Sequence, residues 1–279
     1  MSRPGLDLAT HRRMVQALQQ ACDLPVCIET HSATLLLGVD EVYKLKKPVD
    51  LGFLDFSTCA RRENACREEL RLNRRTAPAL YLGLRAIGGT PDAPCWLSEA
   101  EATDPNAVLD WAVHMRRFPA EAHSDEVLAT LAADAPARRR LFMQLATHIV
   151  ALHAQAGVAT AGDAYGTPER VWAPIGDTLA HLRDNPAVPR DAATQATLAE
   201  LTHWCAERFA ALRPLITSRQ AAGMVRAGHG DLHLGNLIVL DDEPLLFDAL
   251  EFDPALRWID VTADIAFLFM DLAGREPAG

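Results

Sequence analysis

The most informative stretch of the chain is HGDLHLGNLIVLDDEPLLFD, residues 229–248. Two apolar runs, 237–240 and 245–247, stand on either side of the polar sequence Asp-Asp-Glu-Pro. Two apolar strands around a polar turn predict a β-hairpin, which brings its two ends together. Since Asn236 precedes the first strand and Asp248 follows the second, we expect their side chains to be neighbours.

The stretch begins with the spacing H-x-D-x-x-x-x-N, formed by His229, Asp231 and Asn236. This spacing is typical of a phosphotransferase catalytic loop. An aspartate there accepts or orients the proton of an attacking hydroxyl, and an asparagine carbonyl is a hard, neutral ligand for Mg²⁺. A carboxylate at Asp248 adds the anionic ligand that Mg²⁺ prefers when it bridges phosphates. The stretch therefore predicts a base and two metal ligands around a phosphate; the alternative is a polar turn whose groups satisfy one another.

The chain before residue 118 has the pattern of a β-sheet with one embedded helix. Helical spacing covers 6–21 and 58–76, the second helix beginning at Ser57 or Thr58 as N-cap. Strand-like runs between 26 and 47 are interrupted at 38–41, which predicts a hairpin turn. Further strands are predicted at 80–87, 95–99 and 111–115.

The chain after residue 119 is mostly helical in pattern. Helices are predicted at 124–133, 136–156, 168–184, 191–216 and 258–272, and the β-like segment 225–252 interrupts them. The predicted fold class is α+β, with a small antiparallel N-lobe carrying one helix (1–118) and a larger, mainly helical C-lobe (119–279). The joint is expected near 115–119.

Composition favours a soluble globular protein, with 49% apolar and 23% charged residues in a chain of 279. The net charge of −10 argues against nonspecific binding to nucleic acid. No apolar run approaches the length of a membrane span, and no basic-then-apolar leader is recognisable. The irregular spacing of six cysteines predicts reduced thiols. We therefore expect a cytoplasmic protein without nucleic-acid or membrane partners.

HGDLHLGN, followed by LLFDALEFDPALRWIDVTADIAFL (245–268), resembles the aminoglycoside phosphotransferase-like kinases, which are relatives of the protein kinases. The resemblance extends over about 29–272 and is closest to a bacterial subfamily often fused to a P-loop ATPase domain. It implies a protein-kinase-like two-lobe fold, ATP and Mg²⁺ as cofactors, and phosphorylation of a hydroxyl on a small molecule. By this resemblance Asp231 is the catalytic base, and Asn236 and Asp248 hold the metal.

The resemblance also implies a lysine for the ATP phosphates on the strand EVYKLKKP, residues 41–48. Alternation puts Lys44 and Lys46 on one face of this strand and points Lys47 away. We favour Lys44, with Lys46 as the competitor. A carboxylate of the following helix should hold that lysine.

Glu63, Glu68 and Glu69 are available for this role. The last two lie one helical turn before Leu72 and so beside a buried face. Glu69 is favoured and Glu68 stays open. The arginines of this helix are predicted to form a solvated face: Arg61, Arg62, Arg67, Arg71, Arg74 and Arg75.

Other positions take their expected roles from the same family. His229 would brace the catalytic loop, and Asp264 would hold it from the following helix, with Asp260 as competitor. WAVHMRRFP (111–119) would link the lobes, with backbone groups from Met115 to Arg117 reading adenine. ETHSATLLLG (29–38) stands where a Gly-rich loop would cover the phosphates.

The sequence departs from the protein kinases in several ways. It contains no G-x-G-x-x-G, and Asp248 is followed by Ala-Leu rather than Phe-Gly. The family leads us to expect further helices after Leu272. Two other functions compete: a nucleotide-binding module that regulates a fused or partner P-loop ATPase, and a metallohydrolase with His229, Asp231 and His233 as ligands. The acceptor molecule stays open.

Overall fold

The computed structural model describes residues 6–160 and 162–274. Its strands are β1 (Val26–Glu29), β2 (Ala33–Leu37), β3 (Glu41–Lys46), β4 (Tyr81–Thr90), β5 (Ala93–Trp96), β6 (Asp110–Arg116), β7 (Val225–Ala227), β8 (Leu237–Leu240), β9 (Glu243–Leu246) and β10 (Trp258–Asp260). Its α-helices are α1 (Leu8–Ala21), α2 (Cys59–Asn73), α3 (Ser124–Thr130), α4 (Ala135–Gln155), α5 (Pro168–Asp184), α6 (Ala192–Ala221), α7 (Pro254–Arg257) and α8 (Val261–Ala273). The predicted α+β class is confirmed.

The amino-terminal part forms one antiparallel sheet with the strand order β1-β2-β3-β6-β4-β5. Helix α1 covers one face, where Met14 and Leu18 pack against Leu36 and Leu45. Helix α2 covers the other face, where Cys66 packs with residues of β3, β4 and β6. Because side chains alternate along a strand, β3 buries Tyr43 and Leu45 toward α1 and presents Lys44 and Lys46 to α2, on the face that also carries Val42.

A buried ion pair joins α2 to β6. Arg62 donates through Nε to both oxygens of Asp110, at 2.8 and 3.0 Å, and through Nη1 to the carbonyl of Phe56 at 2.9 Å. His11 of α1 lies 3.6 Å from the same carboxylate. The prediction of a solvated arginine face is therefore wrong for Arg62, because Asp110 compensates its charge inside the core.

The β8–β9 hairpin is formed as predicted, with Leu237 opposite Leu246. Its turn residues Asp241 and Asp242 have φ of 53° and 63°, the left-handed values that a tight hairpin turn requires. One face packs on α4 and α8 through Leu145, Leu152 and Leu268 among others. Ile238, on the other face, packs with the amino-terminal sheet.

Several predicted boundaries move in the structure. Residues 258–260, expected at the start of a helix, form β10 and pair with β7. Asp260 then caps α8, accepting from Thr262 N at 2.8 Å. Helix α6 continues to Ala221 despite Pro214. None of the helices in residues 6–160 and 162–274 combines the length and the apolar character needed to cross a bilayer.

Candidate functional site

The loop from Asp231 to Asn236 is held by its own side chains and by two buried leucines. Asn236 donates through Nδ2 to the backbone oxygen of Asp231 at 2.9 Å and to its Oδ2 at 3.2 Å. Leu232 and Leu234 are buried, while the side chain of Asp231 is half exposed. The loop therefore presents the Asp231 carboxylate to solvent. The amide nitrogen of Asn236 is used within the loop, and its oxygen, Oδ1, is left as an acceptor.

Asp264 holds the start of this loop from α8. Its Oδ2 accepts from His229 N at 2.9 Å and its Oδ1 from Gly230 N at 2.8 Å. His153 of α4 lies 2.8 Å from Oδ2. Burial would raise the pKa of Asp264, but these hydrogen bonds lower it, so the carboxylate stays ionised. Asp260, the competing candidate, pairs instead with Arg219, at 2.6 Å.

The ring of His229 is buried beneath the site. Its Nε2 lies 3.1 Å from the carbonyl of Phe247 and is the donor of this contact. Burial lowers the pKa of His229, so the ring is neutral. This contact connects the loop that begins at His229 to the residue before Asp248 and so braces the loop. Among the described residues, His229, Asp231 and His233 do not form a cluster that could hold a metal ion.

The hairpin brings Asn236 and Asp248 to the same end. Phe247 N donates to Asn236 O at 3.0 Å, immediately beyond the last strand pair. Asp248 itself has φ of 60°, an uncommon value for a residue other than glycine. Its N–H donates to the hydroxyl of Tyr81 at 3.2 Å.

Lys44 lies between two carboxylates, one from each part of the chain. Its Nζ is 2.5 Å from Asp248 Oδ1 and 2.9 Å from Glu69 Oε1. Burial would lower the pKa of Lys44, but the two carboxylates outweigh it and raise the pKa well above its ordinary value. Desolvation would likewise raise the pKa of Asp248, and the contact with Lys44 lowers it. Both groups therefore stay charged.

Lys46, the competing lysine, contacts the other oxygen of the same glutamate. Its Nζ is 2.5 Å from Glu69 Oε2 and forms a very short contact with Glu251 Oε1. Glu69 is completely buried, and it meets the two lysines as ion pairs rather than as well-aligned hydrogen bonds. Sequence reasoning did not identify Glu251, although its position three residues after Asp248 was a usable signal.

Glu68, the alternative to Glu69, lies on another side of α2. Its Oε1 is 2.6 Å from Arg257 Nη2 and 2.7 Å from Arg71 Nη2. The carboxylate of Asp253 caps α7 by accepting from Ala255 N at 2.8 Å. Glu69 thus pairs with both lysines, whereas Glu68 pairs with Arg257 in the segment that follows Asp248.

Three more residues, at the end of α2 or just after it, contact the backbone of residues 227–228, 246 and 249, and sequence reasoning missed all of them. Asn73 accepts from Ala249 N through Oδ1 at 2.8 Å and donates to Glu69 O at 2.8 Å. Thr76 donates to Leu246 O at 2.6 Å. Arg75 donates to the carbonyls of residues 227 and 228, and burial lowers its pKa to about 10.

The predicted adenine-reading groups are only partly available. Met115 is buried in the centre of the sheet, opposite Val42 on one side and Tyr81 on the other. Arg117 N donates to Asp40 O at 2.7 Å, and its guanidinium donates to Gly38 O at 2.6 Å. The geometry therefore gives no support to adenine recognition by the N–H of Arg117, because the β2–β3 turn already uses that donor.

The β1–β2 turn, predicted to cover the phosphates, is held by Lys47. Its Nζ lies 2.9 Å from Glu29 Oε2 and 2.6 Å from Thr30 O, and its N–H donates to Ser32 O. In the described part of the chain, no cluster of three or more His, Cys, Asp or Glu side chains is arranged as a metal site. The candidate donors for a cation are one carboxylate, Asp248, and one amide, Asn236.

No family model matches the sequence. The chain is 30% identical over 254 residues to the uncharacterized proteins Rv2004c and MT2060 of Mycobacterium tuberculosis and Mb2027c of Mycobacterium bovis. The match covers 90% of this chain and 47% of each relative. The chain therefore spans about half the length of the curated relatives it matches, and similarity to them assigns it no activity.

Proposed function

We propose that the chain is a kinase with an aminoglycoside phosphotransferase-like, two-lobe fold. It would transfer the γ-phosphoryl group of ATP to a hydroxyl of a small molecule, in a Mg²⁺-dependent reaction. A six-stranded antiparallel sheet on one side of the site and a mostly helical region on the other are compatible with that architecture.

One observation carries this proposal: Lys44 bridges Glu69 and Asp248. The lysine and the glutamate come from the sheet and from α2, whereas the aspartate follows the hairpin that begins at Asn236. A lysine held by a helix glutamate, beside an aspartate on the metal-binding segment, is the arrangement that protein kinases need. A polar turn whose groups satisfy one another does not explain a contact across 204 residues.

The half-exposed Asp231 carboxylate fits the base. The acceptor oxygen would attack the γ-phosphorus while the bond from that phosphorus to the bridging oxygen breaks. The electron pair leaves with ADP, and the acceptor proton passes to Asp231 and then to solvent. Lys44 would neutralise phosphate charge, with Glu69 fixing the position of its ammonium.

The donor set fits a magnesium ion. Asn236 turns its amide nitrogen to Asp231, which leaves the hard carbonyl oxygen for a cation. Asp248 supplies an ionised carboxylate that is 40% exposed and at present is neutralised by Lys44. When bound, the ion would neutralise charge on the phosphates.

The test is ATP turnover with a metabolite extract as the source of acceptors, using ATP labelled at the γ-phosphate. Wild type should transfer label in Mg²⁺, and Asp231→Asn should lower the rate by about 100-fold or more, because the base is lost. Asp242→Asn makes the same change in the nearby hairpin turn, at a left-handed position that asparagine tolerates, and should keep the wild-type rate.

Measuring nucleotide binding distinguishes a failure of the kinase proposal from the second candidate function, a nucleotide-binding module. Melting of wild type with and without ATP and Mg²⁺ reports binding, and Lys44→Met and Asp248→Asn should weaken the shift. Binding without any transfer would favour the nucleotide-binding module, and a P-loop ATPase domain would then be the partner to test. No binding and no transfer would refute the proposal.

A further inference from the structure

Two ion pairs connect β3 to the segment that starts at Asp248. Lys44 contacts Asp248, and two residues further along the same strand face Lys46 contacts Glu251. The carboxylate of Glu69 lies between them and gives one oxygen to each lysine. The kinase chemistry proposed above uses the first pair and leaves the second unexplained.

The two pairs differ in their exposure to solvent. The side chain of Lys44 is 14% exposed and that of Asp248 is 40% exposed. The side chains of Lys46 and Glu251 are only 3% and 8% exposed, and the ring of Phe56 lies 5.4 Å from the Lys46 ammonium. Lys46 is therefore shielded from a ligand that could reach Lys44.

Nucleotide binding would break the first pair. Lys44 must turn to phosphate oxygens, and an Asp248 oxygen that ligates a cation cannot keep an ammonium 2.5 Å away, because the two cations repel each other. The contact between β3 and residues 248–251 would then depend on Lys46 and Glu251, which no phosphate displaces.

We propose that Lys46 and Glu251 are a positioning pair that keeps β3 and the segment after Asp248 in register while Lys44 and Asp248 separate to engage nucleotide. The proposal rests on the kinase function proposed above. In it Lys46 is no phosphate ligand; it acts through Glu69 and Glu251.

The test compares wild type with Lys46→Met/Glu251→Met. This double variant removes both charges together, since replacing a buried pair by apolar side chains of similar volume leaves stability largely intact. Lys46→Arg keeps the charge and should retain function. Arg219→Met, which removes a partly buried pair with Asp260 and involves neither lysine of β3, is the control for loss of an ion pair.

The first measurement is amide hydrogen exchange of residues 248–252, with and without the ATP analogue AMP-PNP and Mg²⁺. In wild type the analogue should leave this segment protected. In the double variant the amides of this segment should be protected in the absence of the analogue. They should exchange faster once the analogue is added. Faster exchange of the double variant in both states, with a lower melting temperature, would mean a merely structural role and would overturn the proposal.

The second measurement is steady-state kinetics together with affinity for the analogue. The double variant should lose about 100-fold in kcat, the size expected for reacting groups misplaced by about 1 Å, with little change in KM for ATP. A weaker affinity for AMP-PNP with unchanged affinity for adenosine would make Lys46 a phosphate ligand and refute the proposal. If wild type binds no nucleotide, both the kinase function and this inference are refuted. If wild type binds nucleotide but the double variant shows wild-type exchange and wild-type kcat, only the role of the positioning pair is refuted.

Discussion

At the scale of single residues, the candidate site depends on backbone positions that are uncommon or tightly held. Asp248 has φ of 60°, outside any tight turn, and a residue other than glycine held there costs on the order of 1–3 kcal/mol. Its contacts with Tyr81 and Lys44 account for its stability in that conformation. Such positions often occur where a side chain must be aimed at a ligand, which agrees with a role for Asp248 in metal binding.

Asp264→Asn should lower the free energy of unfolding by about 2–4 kcal/mol near neutral pH, because an amide cannot accept from both His229 N and Gly230 N as the carboxylate does. The pKa of Asp264 is lowered in the folded protein, so its contribution is complete above the ordinary carboxyl pKa and disappears as the pH falls through the folded value.

Urea unfolding of both proteins from about pH 7 down to about pH 3 measures this difference. The gap between them should be widest at neutral pH and should narrow in acid. A constant gap over that range would contradict an ionised, hydrogen-bonded Asp264.

At the scale of secondary-structure elements, α2 is the part that joins the sheet to the segment that starts at Asp248. Glu69 holds both lysines, Glu68 pairs with Arg257, and Asn73 receives the N–H of Ala249. These contacts lie in the C-terminal half of the helix, and those of Glu68 and Asn73 reach residues that follow Asp248. We infer that α2 sets where the metal-binding candidate lies relative to β3.

Asn73→Ala should cost about 1–3 kcal/mol of stability, because it leaves the buried N–H of Ala249 without an acceptor. It should also lower kcat more than it raises KM for ATP, since Asp248 and Glu69 lose a common support. Thermal melting and steady-state kinetics measure the two effects.

Thr76→Val is the matched comparison in the same part of the chain. It removes one hydroxyl donor to Leu246 O and should cost only about 1 kcal/mol. Equal losses of activity in the two variants would argue against a specific role for Asn73.

At the scale of the whole molecule, the hairpin belongs to two hydrophobic clusters at once. Leu237 and Leu246 pack with α4 and α8, whereas Ile238 packs with Val42, Tyr81 and other residues of the amino-terminal sheet. Alternation along β8 produces this division, since neighbouring side chains point to opposite faces. The two parts of the chain are therefore joined by packing of the β8–β9 hairpin, in addition to the ion pairs of the site.

Ile238→Ala should lower the free energy of unfolding by about 2–5 kcal/mol and leave unfolding a single transition, because its side chain is completely buried between the two parts. Urea titrations followed by tryptophan fluorescence and by far-UV circular dichroism should coincide. Ile238→Val, which removes one methylene, should cost about 0.5–1.5 kcal/mol. Two separate transitions in the alanine variant would show that the parts unfold independently.

Much of this arrangement could be predicted because the signals are local. The β8–β9 hairpin follows from apolar runs around Asp-Asp-Glu-Pro, and Thr58 caps α2 as one of the two predicted residues. Where a distant partner competes with local pattern, prediction failed. Trp258–Asp260 continue an apolar helical pattern, yet pairing with Val225–Ala227 makes them a strand.

Residue order alone therefore placed Asp231, Asn236 and Asp248 around one hairpin, and it put Lys44 and Lys46 on one strand face, because these relations extend over a few residues or one turn. It favoured Lys44 over Lys46 and Glu69 over Glu68 but left both alternatives open, and it did not reveal Glu251 and Asn73. Those choices depend on contacts between groups far apart along the chain, such as Lys46 and Glu251 at a separation of 205 residues. The packing of α2 between the sheet and the segment that starts at Asp248 brings such groups together, because burial without a partner would leave their charges uncompensated.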